Sequence, residues 1–402
     1  RSSDLYARMK QQRVFTRDFI MVFIAAGLIR VCYQIQNTVT PLYAQSLGFS
    51  ASSIGLLVTV VTVASLALRP FLGGWLDRYS RKWIALIGTA IFAFATLWNG
   101  FAATMGLLIV IKALQGVGFS AHTTAVSTMA TDVLPEERMS EGIGYMGLTG
   151  SVSLAVAPAI ALSLVGGGQY GSAYNVAFIA GIISLVTIGL FQGKPKTPPK
   201  TAEAPQKATG IARFFEPAAF KPSAVMLLLG LCGAALTTFL SIFTLGRGFT
   251  TDQVSLYFTI NAITLALARL FGARIARAIS LNRAVLIATV LDVTAFLLIA
   301  FAGNVWMLWL AAALYGLGYG TIYPLLNALA ITASPPHRRG TAMATFLTAM
   351  DIGIGFGASL WGVLVDLTSI NILFPLCAGI SIVTYILFRS LKMDAENKEM
   401  SA

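Results

Sequence analysis

Residues 73–82 read GGWLDRYSRK. Asp77, Arg78, Arg81 and Lys82 stand there between two apolar runs, 52–76 and 83–102. Each run is at least as long as the roughly 20 residues that a helix needs to cross a bilayer. A dense charge cluster between two such runs reads as a short turn between membrane spans.

The same pattern continues in both directions. Apolar windows fall at 18–40, 52–76, 83–102, 105–130, 142–166, 172–192, 222–246, 253–276, 284–302, 304–331, 341–366 and 370–389, which makes twelve spans. Composition agrees: 56% of the 402 residues are hydrophobic and 11% are charged, against about 25% charged in ordinary soluble domains. Mean hydropathy is +0.77. A soluble chain of this size could not bury that much apolar surface, so a soluble enzyme, a disordered chain and a fibrous protein are excluded. The 37 Gly and 25 Phe suit closely packed membrane helices. Cys32, Cys232 and Cys377 all sit in apolar stretches, which argues against a disulfide framework. The chain opens on Arg1 rather than Met, which points to a trimmed start, and Arg1–Arg17 carries no cleavable signal pattern.

The net charge of +12 is a topology signal. Arg1 to Arg17, Arg78 to Lys82, Arg138, the 193–221 segment, Arg274 to Arg283, Arg338, Arg339 and Arg389 to Lys398 fall on one side, and only Arg247 falls on the other. The positive-inside rule makes the first side cytoplasmic, with both termini there. No nucleic-acid partner is needed to explain the charge. Residues 193–221 are rich in Pro and Lys, read as a solvated linker, and divide the chain into two six-helix bundles, 1–192 and 222–402.

The halves superpose at an offset of 200. Arg69 meets Arg269, LQGVGFS at 114–120 meets LYGLGYG at 314–320, and LPEER at 134–138 meets SPPHR at 334–338. Parallel repeats of this kind imply an axis along the membrane normal and a substrate site between halves, near the midplane.

With span and repeat in place, GGWLDRYSRK resembles the major facilitator superfamily signature between its second and third helices. Gly73, Asp77, Arg78, Arg81 and Lys82 match; Trp75 and Ser80 depart from it. The resemblance implies an all-α fold of twelve transmembrane helices in two pseudo-symmetric bundles, and a gate role for those five residues, with Asp77 capping a neighbouring helix. The equivalent loop from Gly272 lacks the Asp. KALQGVG at 112–118 resembles the family's R-x-x-Q-G-x-G motif, with Lys112 in place of Arg. Gly144, Ser153, Ala157 and Pro158 fall on the exporter spacing G-x8-G-x3-G-P, with two glycines replaced. PEERMSEGIGYMG and PPHRRGTAMATFLTAMDIGIGFG look like the bacterial drug:proton antiporter branch, and a narrower resemblance is to metallophore exporters.

Ionisable residues inside spans cost about 2.5–3.5 kcal/mol on insertion scales, so each needs a cavity, a partner or a function. In the first span Arg30, Gln34 and Asn37 form one polar stripe; in the fourth, Lys112, Gln115, Phe119 and His122 share a face. Tyr315, Tyr319 and Tyr323 recur at i+4 in the tenth span, and Tyr257 and Asn261 in the eighth. All except His122 are candidate substrate contacts; anchoring hydrogen bonds and core packing are the competing readings. Asp351, Lys112 and His122 are the candidate proton carriers, with an interhelical salt bridge as the alternative for Asp351. Asp292, Arg69 and Arg269 read as structural.

No catalytic constellation is present. GIGYMG at 142–147 follows no strand, so it is no dinucleotide site, and P-loop, HExxH and GxSxG patterns are absent. His122 with scattered cysteines has no metal-site spacing. The expectation is a non-enzymatic, cofactor-free and metal-free carrier, monomeric, in a bacterial cytoplasmic (inner) membrane. It would exchange protons for a small amphipathic, anionic or zwitterionic molecule by alternating access. Proton- or ion-coupled import of a small anionic metabolite is the runner-up. A non-transporting receptor or lipid-handling scaffold is the reading from another class, and buried midplane charges argue against it.

Overall fold

The structure is a computed structural model that describes residues 14–135, 138–165, 168–193, 215–335 and 338–400. The side chains of Gly73, Asp77, Ser140, Ser151, Leu270, 272–279 and 391–400 lie outside the described set, as does linker stretch 194–214. The gate expectation for Gly73 and Asp77 and most of the linker expectation therefore fall outside the described residues.

Twelve long α-helices follow in order among those residues: α1 Arg17–Ser46, α2 Ala51–Arg78, α3 Arg81–Asn99, α4 Met105–Val133, α5 Met139–Val165, α6 Tyr170–Gly189, α7 Phe220–Gly246, α8 Thr251–Ile279, α9 Leu281–Ala300, α10 Val305–Thr332, α11 Arg339–Leu367 and α12 Leu373–Met400. They map one to one onto the twelve expected spans. Several run past the apolar windows, α1 by six residues to Ser46, because a helix continues into the interface while its caps and neighbours hold it. Among the described residues, eleven helical stretches are long and apolar enough to cross a bilayer.

Local chemistry sets the helix ends. Thr104 accepts from Leu107 N–H to start α4, Thr250 and Gln253 form a capping box on α8, and Asn304 accepts from Met307 N–H on α10. Gly48 and Gly248 close α1 and α7 at φ of +79° and +87°. Such φ values strain any residue with a Cβ, and the two glycines are equivalent under the repeat.

Outward-facing apolar side chains such as Phe94, Ile183, Val290 and Ile386 stay exposed. That is the reverse of a soluble protein and fits a lipid-facing surface. The chain is thus a multi-pass membrane protein.

Contacts group the helices into two compact units: Arg1–Val39 with Val63–Ala202 (unit 1), and Thr40–Thr62 with Glu203–Ala402 (unit 2). In unit 1, α3 packs on α4 and α6; in unit 2, α9 packs on α10 and α12. The crossing of α3 with α4 depends on glycine. A Cβ on Gly88 would come within 2.8 Å of His122 N, and one on Gly118 within 2.7 Å of Gly88 O. Gly318 repeats this against Ala288 O at 2.8 Å. The core of unit 2 gathers Val225, Met226, Leu326, Phe346 and Phe388; one in unit 1 gathers Val22, Ala125, Met129 and Ile188.

Candidate functional site

Unit 1 carries a polar face along α1 and α4. Arg30 is half-buried, and a Cβ on Gly150 would come within 3.1 Å of its Nη1, so a small residue on α5 makes room for the guanidinium. One and two turns further, Asn37 Nδ2 donates to Gln34 Oε1 at 3.1 Å. Lys112 is buried on α4, within electrostatic reach of Cys32. Tyr33 stacks on Phe119, with centroids 4.3 Å apart and planes 17° apart, and Phe92 adds a third ring 5.8 Å from Phe119. The Tyr33–Phe119 stack thus joins α1 to α4 beside these polar residues.

Gln115 is committed to a network that sequence reasoning did not anticipate. Its Nε2 donates to Gln36 Oε1, which also accepts from Asn99 Nδ2 at 2.9 Å, and Gln36 Nε2 donates to Thr96 Oγ1 at 2.7 Å. Gln36, Thr96, Asn99 and Gln115 are all buried. They tie α1, α3 and α4 together through buried side-chain hydrogen bonds, with Asn99 Oδ1 left without a partner among the described residues. His122 is likewise held, with Nδ1 2.7 Å from Thr89 Oγ1, while its Nε2 has no partner among the described residues.

The basic residues of the signature loop act inside unit 1. Arg81 pairs with Asp132 near the end of α4. Lys82 Nζ donates to the carbonyls of Gly189 and Phe191 at 2.7 and 2.8 Å. It thereby caps the negative end of α6. Arg78 is exposed at the end of α2. On α5, Ser153 donates to Thr149 O at 2.6 Å and to Gly27 O at 3.4 Å, so the exporter-like spacing coincides with the α1–α5 packing line.

Unit 2 carries the tyrosines. Tyr315 and Tyr319 are 5.6 Å apart at 13°, and Tyr319 and Tyr323 are 6.1 Å apart. Arg269 covers Tyr323 at 5.3 Å, and Tyr319 Oη donates to Met350 Sδ at 3.9 Å. Asp351 is half-buried in mid-α11, within electrostatic reach of Tyr319. Asn261 Nδ2 donates to Ala312 O at 3.2 Å. Tyr257 is buried and its hydroxyl has no partner among the described residues. Arg69 and Arg269 are both exposed, as equivalent positions should be. Asp292 is buried and makes no ion pair among the described residues; the backbone N–H of Tyr319 reaches its carboxyl, and among the described residues its Oδ1 has no hydrogen-bond partner. No group of three metal-ligating side chains occurs among the described residues.

Known proteins share this architecture. A family model described as Major Facilitator Superfamily matches residues 22–291 and 247–400. The staphylopine export protein of Staphylococcus aureus is 23% identical over 92% of this chain and 94% of its own. Multidrug resistance protein 2 of Bacillus subtilis is 23% identical over 90% of each. Among solved structures, a variant of the nucleoside transporter NupG superposes with a TM-score of 0.80 at 17% identity, covering 92% of this chain and 99% of that one. Twelve helices, a repeated helix triplet and a signature loop braced by its own basic residues thus meet a family match along nearly the whole chain: it belongs to the Major Facilitator Superfamily and is a transporter, not an enzyme.

Proposed function

We propose that this chain is a proton-coupled exporter of small amphipathic molecules bearing a carboxylate or phosphate, zwitterions included. It would work by alternating access from a bacterial cytoplasmic membrane as a monomer, with its termini and the 193–221 linker on the cytoplasmic side. The observation that carries the substrate class is the interior of unit 1. Arg30 and Lys112 lie well inside α1 and α4, whereas the acids with described side chains in this unit, Asp18, Asp132 and Glu141, stand at helix ends. Two bases set among Gln34, Asn37 and the Tyr33–Phe119 plate suit a ligand with an anionic head and an apolar or ring-bearing body. The names of two relatives, a staphylopine export protein and a multidrug resistance protein, support the outward direction.

Coupling follows if proton and substrate each bias the same conformational equilibrium, because each ligand then displaces the other. Asp351, Lys112 and His122 are the groups assigned to the proton. Tyr257, Asn261, Tyr315, Tyr319 and Tyr323 supply the unit 2 side of substrate recognition. The gate role of Gly73, Asp77, Arg78, Arg81 and Lys82 rests on the family signature.

The test is proton release in proteoliposomes holding an internal pH dye, with a panel of carboxylates, phosphates, zwitterions and ethidium. Proton flux driven by the anionic or zwitterionic members supports the proposal. Flux driven by ethidium alone, or uptake moving with the proton, overturns it in favour of a cation exporter or an importer.

A further inference from the structure

Positions 92 and 292 are equivalent under the 200-residue repeat, yet one is Phe and the other Asp. Both face a glycine of the following helix. A Cβ on Gly118 would lie 2.7 Å from Phe92 N, and a Cβ on Gly318 would lie 2.2 Å from Asp292 Oδ1. In unit 1 the ring of Phe92 packs against Tyr33 and Phe119. That crossing of helices evidently needs no acid. In unit 2 the same slot holds a carboxylate that is 1% exposed; the backbone N–H of Tyr319 reaches it, and its Oδ1 has no hydrogen-bond partner among the described residues.

The surroundings hold hydroxyls. Tyr257 from α8 and Tyr315 and Tyr319 from α10 lie within electrostatic reach of Asp292, and the Tyr257 hydroxyl is itself unpartnered among the described residues. The third helix packed on α9 is α12; its titratable groups with described side chains are Cys377, Tyr385 and Arg389. On α9 itself the other charged residue is Arg283, nine residues before Asp292. Arg269 stands beyond, over Tyr323 at the far end of the Tyr315–Tyr319–Tyr323 row.

A structural carboxylate is normally met by donors on both oxygens. An ionised one left with an open acceptor inside a membrane helix is costly, and neutralisation removes that cost. Adding a proton also turns an acceptor oxygen into an O–H donor, which a tyrosine oxygen can receive. We propose that Asp292 is a proton-binding site of unit 2, additional to the groups assigned above. It loads one proton from water and returns it to water during the cycle, with only an O–H bond formed and broken. This rests on the proton-coupled reading of the chain.

Infrared difference spectroscopy of the reconstituted protein, with pH as the only variable, tests it. The wild type should show a carboxylic-acid C=O band that loses intensity as pH rises. That band should vanish in Asp292→Asn and shift in Asp292→Glu. A titrating band unchanged in both variants overturns the site. So does an Asp292 band that persists over the whole accessible pH range, which marks a permanently protonated structural group. If Asp292→Asn does not fold, the Glu variant decides alone: an unshifted band overturns the proposal. The spectrum needs no transport, so a titrating Asp292 in a protein that moves substrate without a proton gradient would sink the coupled reading and leave this site standing.

Discussion

Asp366 Oδ1 accepts the backbone N–H of Ala51 at 2.9 Å, and its other oxygen accepts that of Ser52 at the same distance. A side chain at the end of α11 thereby caps the first two N–H groups of α2, within unit 2. The cap satisfies two orphan donors and places negative charge at the positive end of a helix. The seam continues below it. Thr59 Oγ1 donates to Gly355 O at 2.5 Å and lies 2.7 Å from Ser359 Oγ. A Cβ on Gly362 would come within 2.2 Å of Ala51 O, and a Cβ on Gly55 within 2.1 Å of Ala358 O. Those are backbone atoms, so the glycines are what lets α2 and α11 touch.

Asp366→Ala should cost about 1 kcal/mol, the usual worth of a lost helix cap, and Gly362→Ala about 1–3 kcal/mol through overpacking. Both should raise thiol labelling of a cysteine placed at Ser53, because residues 51–62 lose their hold on α11. Thermal unfolding in detergent, together with labelling rate, checks this. Wild-type labelling in Gly362→Ala would show that the seam is not a closed surface.

A second prediction concerns the signature loop. Arg81 and Asp132 are largely buried, with side chains 18% and 10% exposed. Breaking one partner leaves the other charge stranded, which costs about 3–5 kcal/mol for a buried pair and less for this part-exposed one. The double variant Arg81→Met with Asp132→Leu should be less destabilised than the sum of the singles. Chemical denaturation of the four proteins measures the coupling. Strict additivity would mean that the pair is not an energetic unit.

What the sequence disclosed, and what it withheld, follows from range. The twelve helices were legible because apolar length is a local property, and the tyrosine row because i, i+4 spacing places Tyr315, Tyr319 and Tyr323 on one face. The repeat was legible because Gly118 and Gly318 serve equivalent crossings. Asp366 with Ala51 was not legible, since the pair is separated by 315 positions and a terminal Asp looks like any solvated residue. Gln36 escaped notice because the polar stripe was drawn through Gln34 and Asn37, two residues before it and one after. Its role appears only when Thr96, Asn99 and Gln115 arrive from two other helices. Asp292 was read as a structural partner, because the open acceptor on which the proton proposal rests appears only with the helix packing.

A third prediction concerns orientation. Gly248 follows α7, and Lys200 belongs to the linker, so an odd number of crossings separates them. Single cysteines at the two positions should react with an impermeant maleimide from opposite sides of intact cells and inverted vesicles. Labelling of both from one side would overturn the orientation drawn from the basic residues.

The last prediction concerns substrate charge. Exchanging Arg30 for Ala removes the guanidinium that Gly150 makes room for at 3.1 Å, while leaving the Gln36–Thr96–Asn99–Gln115 network that holds α1 to α3 and α4. The fold should therefore survive, and binding of a carboxylate or phosphate substrate should weaken by more than tenfold, about 1.4 kcal/mol or more. Arg30→Lys should recover only part of the loss, because a point charge cannot reproduce a bidentate fork. Gln36→Leu is the contrasting variant. It strips acceptors from two buried amides and should lower stability by about 1–3 kcal/mol with little change in the ratio of anion to cation binding. Equilibrium binding of the panel to each purified variant separates the two effects. If Arg30→Ala keeps wild-type affinity for the anions, or if ethidium outcompetes them on the wild type, the positive face of unit 1 is not what selects the cargo.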